Sequence, residues 1–241
     1  MPSTINVILE YNTKGYLAYC QDYPGAFSRG ATKEQAFSKI KNEVKSYLSW
    51  MGCRSFYLDS YEIKVVQSKQ STLAIHDADT DILFDSEKKP ISRGTFEEWK
   101  HLVLRSASDF QAMYEAIPDQ NFSNQPLRKT FYGVVPRSAK EMYEHTNEVT
   151  AYYMNGLSIQ MPLSSDIISN RILAMELLEE QHELLKNNIF YAPDGEAWTL
   201  SKVMRRFLWH DRIHAKAMYR MAVLIWGNRI CNPFCFPIGK A

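Results

Sequence analysis

The chain has 241 residues, 45% of them hydrophobic and 23% charged, which are the proportions of a folded globular protein and exclude a disordered one. Its 28 Lys and Arg stand against 27 Asp and Glu, so a net charge of +1 gives no sign of the basic excess of a dedicated nucleic-acid binder. The opening Met-Pro-Ser-Thr has neither a basic nor an apolar stretch, and no apolar run approaches ~18 residues, so no signal peptide and no membrane span are expected.

Four cysteines (Cys20, Cys53, Cys231 and Cys235) in such a chain fit a reducing cytoplasm with free thiols. The length suits one large domain or two modest ones. The hydrophobic pattern favours two, because its period changes along the chain.

Ile5 to Tyr11 is β-branched and apolar, Asn12-Thr13-Lys14-Gly15 supplies a turn, and Tyr16 to Cys20 reads as a second strand, so the pair forms a hairpin. Tyr23-Pro24-Gly25 breaks it. Thr32 and Gln35 fit a capping box, after which Ala36, Ile40, Val44, Tyr47 and Leu48 recur at helical spacing until Gly52. Tyr61 to Val66 predicts a third strand. Pro24-Gly25 after the second strand, followed by Gly30, Thr32, Glu34 and Ala36 entering the helix, resembles the HicB-like fold, a ββαβ unit best known from antitoxins. The resemblance covers residues 1–70. No catalytic set is visible there, nor the DNA-binding or toxin-binding appendage of that family.

Residues 71–92 read as a linker with an acidic run from Asp77 to Asp85, and a short strand is placed at Leu73-Ala74-Ile75 or Ile82-Leu83-Phe84. From there the period is helical, and residues 93–241 predict an all-α four-helix bundle. The first helix runs from about Thr95 to Ile117 with Phe96, Trp99, Val103, Phe110 and Met113 on its stripe. The second runs from Ser138 to Gly156 with Met142, Val149 and Tyr152. The third is capped by Ser165-Asp166 and carries Ile168, Ile172, Met175, Leu178 and Leu185. The fourth runs from about Thr199 to Trp226, with Val203, Phe207, His210, His214, Ala217, Met221 and Leu224 on its buried face. The overall expectation is a multi-domain α+β protein.

His210 and His214 are four residues apart and so stack on one helix face, at positions where spacing calls for apolar residues. His145 falls into the stripe of the second helix. Spacing alone fits either hydrogen-bonded core histidines or three imidazoles meeting on a metal ion. The wider text, from Ser138-Ala139-Lys140-Glu141 to His145 and Tyr152-Tyr153-Met154, and from Trp198 through His210-Asp211-Arg212-Ile213-His214, resembles the DinB/YfiT-like superfamily. This resemblance covers about residues 95 to 228. It implies that His145, His210 and His214 are the ligands of a divalent transition metal, zinc or nickel, and that a low-molecular-weight thiol serves as co-substrate. It also implies a metal-dependent transferase, an S-transferase or hydrolase acting on a small-molecule substrate, and a homodimer.

Other residues are set aside on chemical grounds. Asp211 follows His210 directly and is expected at the surface, as are Glu144 and Glu148 beside His145. Tyr152, Tyr153 and Trp209 fit core packing or a pocket wall. Arg205-Arg206 fits ion pairing or an anionic thiol. His76 and His101 are expected in solvent, and His182 at the edge of its stripe. Cys231 and Cys235 have three residues between them and do not form a CxxC motif. Two functional readings therefore stand: a metal-dependent enzyme, and a binding or regulatory protein in which the α+β unit recognises a protein partner and the bundle is a scaffold.

Overall fold

Alternation along the first strand sends its apolar residues to both sides of a sheet. In β1 (Thr4–Asn12), Ile5, Val7 and Leu9 join one hydrophobic cluster and Ile8 another. A sheet with two apolar faces needs two covers. The computed structural model, which describes residues 4–53, 61–227 and 229–237, supplies both.

β1 pairs antiparallel with β2 (Gly15–Cys20), β2 pairs antiparallel with β3 (Phe27–Gly30), and α1 (Lys33–Trp50) leads to β4 (Glu62–Gln70), which lies parallel to β1. The sheet order is β3-β2-β1-β4. Thr32 caps α1 by accepting from the Gln35 amide, as the motif predicts. Ala36, Ile40, Val44 and Tyr47 of α1 join Val7, Leu9 and Ala18 in the first cluster.

The unit differs from the expected ββαβ pattern by the strand β3. Its four residues, Phe-Ser-Arg-Gly, carry no β-branched run and end in a glycine, so nothing in their composition marks them as a strand. The third expected strand exists but runs from Glu62 to Gln70.

The second cover is the segment expected to be a linker. Ile75, Ile82 and Phe84 are buried with Ile8, Leu17, Tyr19 and Phe27 on the other sheet face. Neither short strand forms: Ile75–Asp77 is a single 3-10 turn, and Ile82 and Phe84 lie in irregular backbone. The strap is tied in by polar groups as well. Thr80 donates to Glu10, and the Asn187 amide, in the left-handed region at φ 55°, donates to the carbonyls of Glu87 at 2.7 Å and Lys89 at 2.8 Å.

The helical part comprises α2 (Arg93–Glu115), the small hairpin β5 (Lys129–Thr130) and β6 (Gly133–Val134), α3 (Ala139–Asn155), α4 (Ile167–Glu179), a second small hairpin β7 (Phe190–Tyr191) and β8 (Ala197–Trp198), and α5 (Leu200–Trp226). α5 packs on α2 and α3, and α4 packs on the same two, so the four helices close a ring.

The stripe expected for the third bundle helix is rotated. Ile172 is 45% exposed, α4 ends at Glu179, and Leu185 lies in a separate turn. The buried positions are instead Ile167, Arg171, Ala174, Met175 and Leu178. The buried face of α5 is also wider than an apolar stripe. Leu200 to Arg212 are all buried, whereas Ala217 and Leu224, expected inside, are exposed.

Asp211, expected at the surface, has no exposure at all and pairs with the equally buried Arg171 at 2.8 Å. The Arg171 guanidinium also donates to Thr150 Oγ1 at 3.2 Å and lies 4.0 Å from the Phe207 ring centroid, so one side chain joins α3, α4 and α5. The sheet unit is welded to the same helix. Arg212 donates to Glu43 of α1 at 2.8 Å, and Gly25, at φ +89°, passes so close to α5 that a Cβ there would lie 2.7 Å from Leu208 Cβ.

Removing one member of a buried ion pair strands the other charge, at a cost of about 3–5 kcal/mol. Arg171→Met is expected to lower unfolding free energy by about that amount in a denaturant titration, and adding Asp211→Leu to recover most of it. A loss no larger than that of an exposed substitution would show that the pair does not hold the three helices together.

Candidate metal centre

Helix starts set the positions of the three histidines. Ser138 accepts from the Glu141 amide while the Glu141 carboxylate accepts from Ser138 N–H, a reciprocal cap that starts α3 two turns before His145. Thr199 caps α5 by accepting from the Lys202 amide, and His210 and His214 follow on consecutive turns. α3 packs on α5, and the rings meet there. Their centroids are separated by 5.0 Å (His145 to His210), 4.9 Å (His145 to His214) and 4.7 Å (His210 to His214).

One nitrogen from each ring lies within 4.8 Å of those of the other two. Bonds of about 2.0–2.1 Å in a tetrahedral arrangement place imidazole nitrogens about 3.4 Å apart, so small ring rotations suffice to bind. The trio can hold a metal ion.

Polar atoms around the trio fit that role. His210 Nδ1 is 2.7 Å from the Tyr153 hydroxyl, while His210 Nε2 is buried with no hydrogen-bond partner among the described residues. Such an orphaned nitrogen is costly in a core. With Nδ1 engaged by the Tyr153 hydroxyl, Nε2 is the His210 atom free to take a metal, and Tyr153 accepting from Nδ1–H would set the tautomer that leaves it unprotonated. Burial pushes the Tyr153 phenol up to about 12, so it stays protonated.

Burial also lowers all three imidazoles. The effect is to about 3 at His214, and at His210 the neighbouring His214, His145 and Arg206 add to it. Each ring is therefore neutral at pH 7, the form that binds a cation.

The trio opens onto a cavity of about 1080 Å³. α3 and α5 contribute His145, Val149, Tyr152, Tyr153, Arg206 and Trp209 to its wall. The strand β3 adds Phe27, Ser28 and Arg29, the strap adds Leu73 and Asp77 to Asp81, and the β5–β6 hairpin adds Phe131 and Tyr132. Tyr132 stacks over His145 with 5.6 Å between centroids and 18° between planes. Arg128, preceding that hairpin, pairs with Asp77 of the strap. Phe27 meets Trp209 edge-on at 5.6 Å, one residue from His210.

The structure thus brings together all three expected ligands, together with Tyr152, Tyr153 and Trp209 from the uncertain group. It leaves His76, His101 and His182 exposed, along with Glu144 and Glu148. Cys231 and Cys235 are free and exposed, and neither lines the cavity. Arg205 is used structurally, pairing with Glu87 of the strap. Tyr153 had a positional signal, since it stands eight residues after His145 on the same helix. Gly156 makes room beside it, because a Cβ there would lie 2.5 Å from the Trp198 ring that packs on Tyr153.

The chain matches no protein-family model, no curated protein and no solved structure.

Two outcomes follow. Tyr153→Phe removes the hydrogen bond that orients His210 and is expected to weaken zinc affinity about 10–100-fold in a chelator competition. Unchanged affinity would show that the hydroxyl does not position the ring. The second concerns pH. A histidine whose folded value lies below its unfolded one binds more protons when unfolded, so folding stability falls as pH drops through the unfolded value of about 6.5. Chelator-treated protein is expected to lose thermal stability between pH 7 and pH 5, and His214→Gln to flatten that slope. An equal slope in the variant would refute the assignment.

Proposed function

We propose that the chain is a metal-dependent enzyme in which His145, His210 and His214 hold a divalent transition metal, zinc or nickel, at the wall of the cavity. The observation that carries this reading is the convergence of three neutral imidazoles, one with an orphaned buried nitrogen, on a single open-sided site. Three nitrogen ligands leave coordination positions free, as catalytic rather than structural sites do. When bound, such a cation lowers the pKa of a water or thiol and presents it as a nucleophile at neutral pH.

The chain's own residues supply the rest. Tyr153 orients His210, the rings of Tyr132, Tyr152 and Trp209 line the cavity beside it, and Arg206 sets a buried positive charge one turn before His210. The DinB-like text of α3 and α5 adds a low-molecular-weight thiol as the co-substrate of choice, making thiol transfer the first reaction to screen. The HicB-like text of the first 70 residues is read as a wall of the same site. Phe27, Ser28 and Arg29 of β3 line the cavity, which disfavours the alternative of a separate partner-recognition module on an inert scaffold.

Metal content measured by plasma mass spectrometry on untagged protein tests the proposal, beside His145→Ala, His210→Ala and His214→Ala. About one transition metal per chain, falling strongly in each variant, is expected of a site with three protein ligands. No metal after incubation with zinc and with nickel, or undiminished stoichiometry in the variants, would end it.

A further inference from the structure

The buried cations of α5 are matched one by one, with a single exception among the described residues. Lys202 Nζ donates to the carbonyls of Asp81 and Ala197 and lies 2.9 Å from Glu196. Arg205 takes Glu87 and the Ile82 carbonyl, and Arg212 takes Glu43. Arg206 is only 8% exposed, yet it makes no hydrogen bond and no ion pair among the described residues, and its Nε is buried without a partner. Its neighbours are rings: Trp209 at 4.7 Å, Tyr153 at 5.4 Å and Trp198 at 5.8 Å from the guanidinium carbon. Ring faces attract the cation but offer no lone pair in the plane of its N–H groups. Arg206 also lines the cavity, four residues before His210 and eight before His214, so that the three side chains form one row along α5.

We propose that Arg206 anchors a substrate through a monoanionic carboxylate, received in the ring of aromatic side chains about 6 Å of helical rise from the first metal ligand. A carboxylate is planar and accepts two parallel N–H bonds, which suits an Nε–H without a partner and its neighbouring Nη–H. The anion is singly charged because Asp79 and Glu196 stand close enough to feel the Arg206 charge and line the same cavity. A phosphate dianion brought to Arg206 sets two further negative charges beside these carboxylates, whereas a carboxylate sets only one. The aromatic surroundings suit a flat or apolar frame behind the carboxylate. Such a substrate presents its other end to the metal ligands. The inference deepens the metal-centre reading by naming a substrate class, but carboxylate capture itself requires no metal.

The test uses calorimetric titration of the full chain, both chelator-treated and zinc-loaded, with benzoate and 2-naphthoate, their neutral carboxamides, and phenyl phosphate. In wild-type protein the carboxylates are expected to bind at least ~10-fold more tightly than their amides, in both metal states. Arg206→Gln is expected to erase that difference while leaving zinc stoichiometry unchanged and the thermal midpoint no lower; Arg206→Met serves if Arg206→Gln does not fold. Equal affinity of carboxylate and amide in wild type, discrimination that survives in the variant, or tighter binding of phenyl phosphate than of benzoate would each overturn the proposal. Failure of the metal reading looks different: zinc does not bind, and the discrimination persists in chelator-treated protein.

Discussion

The structure is organised around a helix that is buried on every side yet carries charge on every side. From Leu200 to Arg212 no residue of α5 reaches solvent appreciably, and that run contains Lys202, Arg205, Arg206, His210, Asp211 and Arg212. A buried charge is tolerated only when paired and hydrogen-bonded. The charged side chains other than Arg206 therefore each dictate a neighbour: Glu196 and the strap for Lys202, Glu87 for Arg205, Arg171 for Asp211, Glu43 for Arg212. Apolar packing alone would let the strap, α1 and α4 slide against α5. The charges specify where each of them docks.

The same constraint shapes the site. Because the helix is encased, the histidines on it are desolvated and neutral, the form in which imidazoles can take a metal ion. Because Tyr153 and Trp198 are buried against it, His210 is held in one orientation. Because Glu43 and Glu87 come from outside the four helices, the α+β unit and the strap are fixed over the open side of the trio. The cavity is thus composite: a bundle of four helices lacking the β3 strand and the strap would present the three imidazoles to bulk water.

What the sequence shows and what it hides divides along the range of the interactions. The caps at Thr32, Ser138 and Thr199 are contacts between near neighbours, and the helical stripes follow from local period, so both are legible. His145, His210 and His214 are legible for a related reason, being polar residues where a stripe calls for apolar ones. Asp211 is misread because a single helix shows no place for it; its partner lies 40 positions away on α4. The strap is misread because an acidic run looks solvated, and only the buried Ile75, Ile82 and Phe84 give it a packed face. The rotation of α4 has the same origin. Arg171 takes an inward position for Asp211, which displaces Ile172 to the surface.

Arg206 is the exception among the buried charges of α5. If every buried charge on α5 exists to dock a neighbour, an unpaired one contradicts the design unless its neighbour is something other than the chain. Replacing it by an apolar residue of similar length would pack the rings of Trp209, Tyr153 and Trp198 without an unsatisfied donor. Retaining a guanidinium there is a standing cost to the fold, and it lies on the cavity wall, one turn before His210. Buried polar groups left unsatisfied in an otherwise well-paired structure are explained by what they bind or by what they do. The helix that assembles the protein by pairing its buried charges thus keeps one of them unpaired among the described residues, and the place it keeps it is the place where a substrate would enter.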